Sequence, residues 1–243
     1  MMPRTLGFDW KVQLHWLDET AAHVARGAGP KELRCQLDQY LQRQTDVSLS
    51  PTARNKAVTV LSHLWCDVPD HSRGFRDRSL ELLHDVLPEE RVVVHWSMAI
   101  ATYPFFADVV VATGTLLSLQ GMAEVPSVRR RVSEEWGDRS TVGRATGVVI
   151  GTVRDWGLLD AVGKGRVEAA AAKEIGPELS ASLIEALLES GRVGSLSGND
   201  AVHHPAFFPF RLNLDATHLQ SAASLTVERY ANGVDVVRLS RLN

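Results

Sequence analysis

The chain reads as a mainly α-helical protein, and three observations carry that reading. Through the first half, apolar residues recur three and four positions apart, the period of a helix with one buried face. Over 126–173, two helical stretches separated by Gly137-Asp138 lead into a basic segment with a glycine at each side of its tip. Only the last third shows the alternation of strands, in short runs. The expected organisation is an all-helical bundle over 1–122, a winged helix-turn-helix over 123–174 and a small α+β region over 175–243.

The elements follow in order. Trp10, Leu14 and Leu17 share a helical face, which Ala21, Ala22, Val24 and Ala25 extend to the break Gly27-Ala28-Gly29-Pro30. A second helix over 31–44 turns Leu33, Leu37, Tyr40 and Leu41 inward. Ser50 is a cap and Pro51 suits the first helical turn of a third helix, over 52–66, with Ala57, Val58, Leu61, Leu64 and Trp65 inward. A loop over 67–74 precedes a helix over 75–87, which Pro88 ends. The stretches 92–101 and 105–119 are the most apolar helices and part at Tyr103-Pro104, because proline disfavours helix at the residue before it. Residues 92–107 carry no Lys, Arg, Asp or Glu, yet they fall short of the roughly 20 residues a spanning helix needs. They are expected as buried core.

The next unit has the most informative order. A short helix over 128–136 starts behind Pro126 and Ser127 and is broken by Gly137 and Asp138. Ser140 or Thr141 is expected to cap a second helix, which Gly157 ends. Val142, Ala145, Val149, Val153 and Trp156 lie on one face of it; Ser140, Arg144 and Arg154 lie on the other. Leu158 to Val162 and Val167 to Ala169 then flank the tip Gly163-Lys164-Gly165-Arg166, a small hairpin or wing. Gly143, Gly147 and Gly151 form a stripe on the second helix. Each glycine costs a helix about 1 kcal/mol relative to alanine, so the stripe implies close approach by another helix or by a nucleic-acid backbone. Helix packing is the favoured cause, and it leaves that helix less free to enter a groove.

In the last third, 169–172 are read as the start of a further helix, followed by a clear one opened by Pro177-Glu178 and ended at Gly191. Residues 195–200 read as loop. Strands are expected over 207–214 and 225–230, with a turn at Ala231-Asn232-Gly233 and a return strand over 234–239.

Charge singles out the central unit. Residues 127–173 hold nine basic and six acidic side chains, a net +3 within a chain of −3, which leaves −6 for the rest. A local cationic patch of this kind suits a polyanion. A B-DNA major groove, about 12 Å wide, accepts one α-helix, and a wing reaches the flanking phosphates or minor groove. The expected nucleic-acid contacts are Arg129, Arg130, Arg131, Arg139, Ser140, Thr141, Arg144, Lys164 and Arg166. Two other readings stay open. Winged helices also dock proteins, and the helical first half also suits an RNA-binding or transcription-associated protein.

Composition excludes some classes. The hydrophobic fraction of 44% and charged fraction of 23% are those of a globular domain, and a pI near 6.3 argues against a coat of nucleic acid on every side. Two cysteines, Cys35 and Cys66, make no disulfide framework, and residues 1–10 show no secretory signal, so a cytoplasmic setting is expected. His63, Cys66 and Asp67 are too few for a closed metal site, and no metal or cofactor is expected. His203-His204 has no acid or nucleophile beside it. There is no phosphate loop, no dinucleotide fingerprint and no hydrolase or zinc-protease motif, so no enzyme is expected.

Four stretches together resemble one family. They are Arg54 with the helix to Leu64-Trp65; Tyr103-Pro104-Phe105; Arg131-Val132-Ser133-Glu134-Glu135-Trp136-Gly137-Asp138-Arg139-Ser140-Thr141-Val142; and Asp155-Trp156-Gly157-Leu158-Leu159. They look like BrxA, an accessory protein of bacterial BREX phage-defence systems, over about residues 50–175. The resemblance implies a non-enzymatic protein with a helical part likened to the transcription factor NusB and a winged helix that binds double-stranded DNA. It further implies work beside a methyltransferase, a phosphatase-like protein and ATPases. DNA contact would fall here on Arg139, Ser140, Thr141, Arg144, Lys164 and Arg166.

Overall fold

A computed structural model of the chain describes residues 6–44, 48–214, 218–219, 222–229 and 235–240. Six helices open the described chain: α1 (Leu14–Ala25), α2 (Pro30–Gln42), α3 (Pro51–Trp65), α4 (Arg73–Asp85), α5 (Arg91–Thr102) and α6 (Pro104–Gln120). Their boundaries follow local chemistry. The Ser50 hydroxyl accepts from the Ala53 N–H at 3.3 Å, with Pro51 as the first residue of α3. Tyr103 is extended between α5 and α6, as its following proline requires, and the two helices bend by 115°. Residues 92–101 of α5 are all buried. Among the described residues no single helix is long and apolar enough to cross a membrane.

The chain continues through β1 (Ala123–Glu124), α7 (Val125–Trp136), α8 (Ser140–Asp155), β2 (Leu159–Ala161) and β3 (Arg166–Ala169). The last part comprises β4 (Lys173–Ile175), α9 (Pro177–Glu189), β5 (Leu196–Ser197), α10 (Gly198–His203), β6 (Phe210–Leu212), β7 (Leu225–Arg229) and β8 (Asp235–Leu239). The strands form three small sheets: β1-β3-β2, antiparallel; β4-β6, parallel; and β5-β8-β7, antiparallel.

One core joins these parts. Trp96 on α5 is fully buried and meets Phe106, Trp156, Phe208 and Phe210 edge-on, at centroid distances of 5.4, 6.5, 5.5 and 5.9 Å. Its indole N–H donates to the Ala206 carbonyl at 3.0 Å. A single side chain thus ties the helical half to α8 and to the C-terminal region. Gly114 of α6 allows the same closeness at the backbone level, since a methyl group there would lie 1.9 Å from the Pro205 carbonyl oxygen.

Three local expectations are corrected. Residues 169–172 are not helical; the chain there leads into β4, which pairs with β6. Four alanines favour helix but are too few to nucleate one. Residues 195–200 are not loop: β5 runs into α10, where the Ser197 hydroxyl accepts from the Asp200 N–H at 3.2 Å. Of the strand expected over 207–214 only Phe210–Leu212 pairs, and Pro205–Phe207 is a 3-10 turn. The turn at 231–233 lies outside the described residues, as does Tyr230, while β7 and β8 pair antiparallel as expected.

Candidate nucleic-acid interface

The site is built on α7, a three-residue turn and α8. On α7, Val128, Val132 and Trp136 are spaced by four and buried. Trp136 packs edge-on against Phe105 of α6 at 5.1 Å and donates its indole N–H to Asp108 at 2.8 Å. Gly137 turns the chain with φ +83°. The cap expected at Ser140 or Thr141 is not formed. Arg139 holds the N-cap position in extended backbone, and its guanidinium donates to the Trp136 carbonyl at 3.3 Å. Ser140 is therefore already inside the helix, leaving its hydroxyl at the surface.

Along α8, Val142, Ala145, Thr146, Val149, Ile150 and Val153 face the core. Ser140, Thr141, Arg144 and Arg154 are exposed on the other side. Gly157 ends the helix at φ +71°, with the Leu158 N–H closing onto the Val153 carbonyl at 3.1 Å. β2 and β3 then pair, and Gly163 and Gly165 supply the left-handed backbone at the tip, with φ +103° and +73°. Lys164 stands exposed there, beside a partly exposed Val162. β1, which periodicity alone does not reveal, adds to the free side of β3, and the Val125 N–H donates to the Gly165 carbonyl at 2.9 Å.

All nine expected contact residues are exposed, but they do not form one face. Ser140, Thr141 and Arg144 share the outer side of α8. Arg129 leans from α7 onto α8. Arg131 points to the opposite flank of α7, lining a cleft with Asp108, Glu134, Glu135 and Arg192. Arg130 lies between these two directions, 100° on from each along the helix turn. Arg166 is engaged by Glu124 at 3.1 Å. Among the described residues no acid lies within ion-pair distance of Arg129, Arg130, Arg144 or Lys164. Among the described residues Arg131 and Arg139 have none either, so Arg166 is the one cation of the nine expected residues that is ion-paired.

The glycine stripe lies on the outer face and no helix backbone packs into it. A methyl group at Gly147 would lie 3.1 Å from Arg129 Nη2, and one at Gly143 4.0 Å from Arg129 Cδ. At Gly151 it would lie 2.4 Å from Lys11 Cε. The close approach inferred from the stripe is thus made by two long cationic side chains. Lys11 was not foreseen, because nothing local to residue 11 connects it with α8.

Compared with known family models, curated proteins and solved structures, the chain matches none. Of the other candidate residues, His204 has a structural role and Cys66 an unreactive setting. His204 Nδ1 accepts from the Ala206 N–H at 3.2 Å, and burial holds its pKa below the usual value. Burial, with Asp67 nearby, pushes the Cys66 thiol up, away from a reactive thiolate. Among the described residues no three His, Cys, Asp or Glu side chains converge on a point where a metal would sit.

Proposed function

We propose that this protein binds double-stranded DNA through α8 and the β2–β3 hairpin, acting as a winged helix-turn-helix without catalytic function. The observation that carries the reading is the outer face of α8. It presents Ser140, Thr141 and Arg144 at its first turns, and the glycine-tipped hairpin holds Lys164 out beyond the sheet. Support also comes from the topology: helix α6, strand β1, helices α7 and α8, then a hairpin whose sheet order is β1-β3-β2. The side chains that remain free are cations and hydroxyls, which suit phosphates better than base edges, so affinity is expected to be only weakly sequence-dependent.

The four stretches that resemble BrxA extend the proposal. The protein would be an accessory component of a phage-defence system, with α1–α6 as its NusB-like part, working with a methyltransferase and ATPases in the cytoplasm. A gene neighbourhood without those enzymes would remove this extension and leave the DNA reading untouched.

The test is a titration against duplex DNA at several salt concentrations. With about five phosphates neutralised, log K falls against log[salt] with a slope near −4 to −5. Exchanging Arg144 and Lys164 for Glu abolishes binding. Glu124→Gln, which releases Arg166, strengthens it about two- to fivefold at low salt, as removal of one exposed ion-pair partner would. A flat salt response, or no binding at low salt, refutes the proposal.

A further inference from the structure

The segment before α1 is docked on the C-terminal half of α8. Phe8 and Val12 are fully buried, Phe8 between Tyr103 at 5.2 Å and Phe106 at 5.1 Å. The Val12 carbonyl accepts from the Trp156 indole at 2.9 Å. Between these two anchors Lys11 points outward. Its aliphatic stem crosses Gly151, and its amine reaches Asp155 at 2.9 Å, with 42% of the side chain exposed.

We infer that Lys11 is a phosphate contact for the same duplex that α8 binds; the inference rests on the DNA reading above. Ser140, Arg144, Gly147, Gly151 and Asp155 follow one another at steps of three or four, so they form one line along the outer face. Lys11 lies on that line, two turns beyond Arg144. Seven residues of helix span about 10 Å. Lys11 therefore prolongs the cationic track of α8 beyond Arg144.

The arrangement is hard to explain as stabilisation. The segment is already held by Phe8, Val12 and the Trp156 bond, and an exposed ion pair adds little. The end of the Lys11 side chain lies close over a glycine in the middle of a helix, where glycine is unfavourable, and a methyl group there would displace only that flexible end. The tip of Arg129 lies in the same way over Gly147. Both glycines lower the surface so that a cation lies flat along α8. An ammonium on a flexible stem has no fixed hydrogen-bond geometry, so it passes readily from Asp155 to a phosphate oxygen.

The experiment uses the full chain and a short random-sequence duplex. Binding is followed at several salt concentrations for wild type, Lys11→Gln, Lys11→Arg, Asp155→Asn and Arg144→Gln. Lys11→Gln is expected to make the salt slope shallower by about 0.9 and to weaken low-salt binding about three- to tenfold. Its thermal midpoint should stay close to that of wild type. Lys11→Arg restores the slope, and Asp155→Asn binds at least as tightly as wild type. If Arg144→Gln reduces the slope while Lys11→Gln leaves it unchanged, Lys11 is not a contact and the DNA reading survives. If wild type does not bind duplex, both are overturned.

Discussion

Trp156 donates its indole N–H to the Val12 carbonyl across 144 residues of sequence, and both residues are buried. This bond closes the end of α8 onto the chain before α1. Trp156→Phe removes the donor and leaves a buried carbonyl without a partner, a loss of about 1–3 kcal/mol. The smaller ring also thins the packing against Trp96 and Phe106. In urea unfolding the midpoint should fall with the slope unchanged. A midpoint equal to wild type would show that the Val12 carbonyl finds water instead.

Two glycine substitutions should act in opposite directions. Gly143→Ala meets nothing closer than Arg129 Cδ at 4.0 Å, so helix propensity dominates and stability rises by up to about 1 kcal/mol. Gly114→Ala places a methyl group 1.9 Å from the Pro205 carbonyl oxygen. Backbone must move there, a penalty of about 1–3 kcal/mol or more. Thermal unfolding of the two variants separates the cases; a stabilised Gly114→Ala would contradict the packing of α6 on residues 205–208.

Two histidines and Asp18 make the fold sensitive to acid, in two separate pH ranges. His95 is fully buried, with Nε2 3.1 Å from Asp18 Oδ1. Burial holds its pKa below the ordinary 6.5 even though Asp18 pulls it up. Below 6.5 the unfolded chain takes up a proton that the folded chain refuses, so stability falls as pH falls towards the folded value. His204, lowered chiefly by burial, acts in the same sense. Burial pushes the Asp18 carboxyl up, but the bond and charge of His95, with Arg91 and His15, outweigh it; the lowered group adds a second loss below 3.8. Glu189, raised by burial and by Glu185, works the other way above 4.5. Between about pH 7 and 5 His95 and His204 each lower stability on acidification, by at most about 1.4 kcal/mol per pH unit for each proton, and Glu189 opposes them. Urea unfolding across that range measures the balance, and Glu189→Gln should steepen the loss. Stability that rises on acidification in Glu189→Gln would contradict the assignment of a neutral buried His95.

Much of the helical order was legible because helix signals are local. The four-residue spacing of Val128, Val132 and Trp136, the proline at position 104 and the glycine at 157 each act within a turn or two of the chain. The glycine stripe was legible as a sign of close approach, but not of what approaches. Arg129 and Arg131 look equivalent in sequence. They part only because α7 packs Val128 and Val132 inward, which sends one arginine towards α8 and the other towards Asp108 and Arg192.

By itself, then, the amino-acid order determined the mainly helical character, the turn between α7 and α8, the hairpin after Gly157 and a cationic excess around them. These depend on periodicity, backbone preference and charge, all of which can be read within a short window. Tertiary structure alone decided that β1 completes the hairpin sheet, that β4 pairs with β6, that Glu124 engages Arg166 and that Lys11 lies over Gly151. Those contacts join residues far apart in the chain. They follow from the burial of Phe8, Val12, Trp96 and Trp156 in one core, which brings the segments that carry them together.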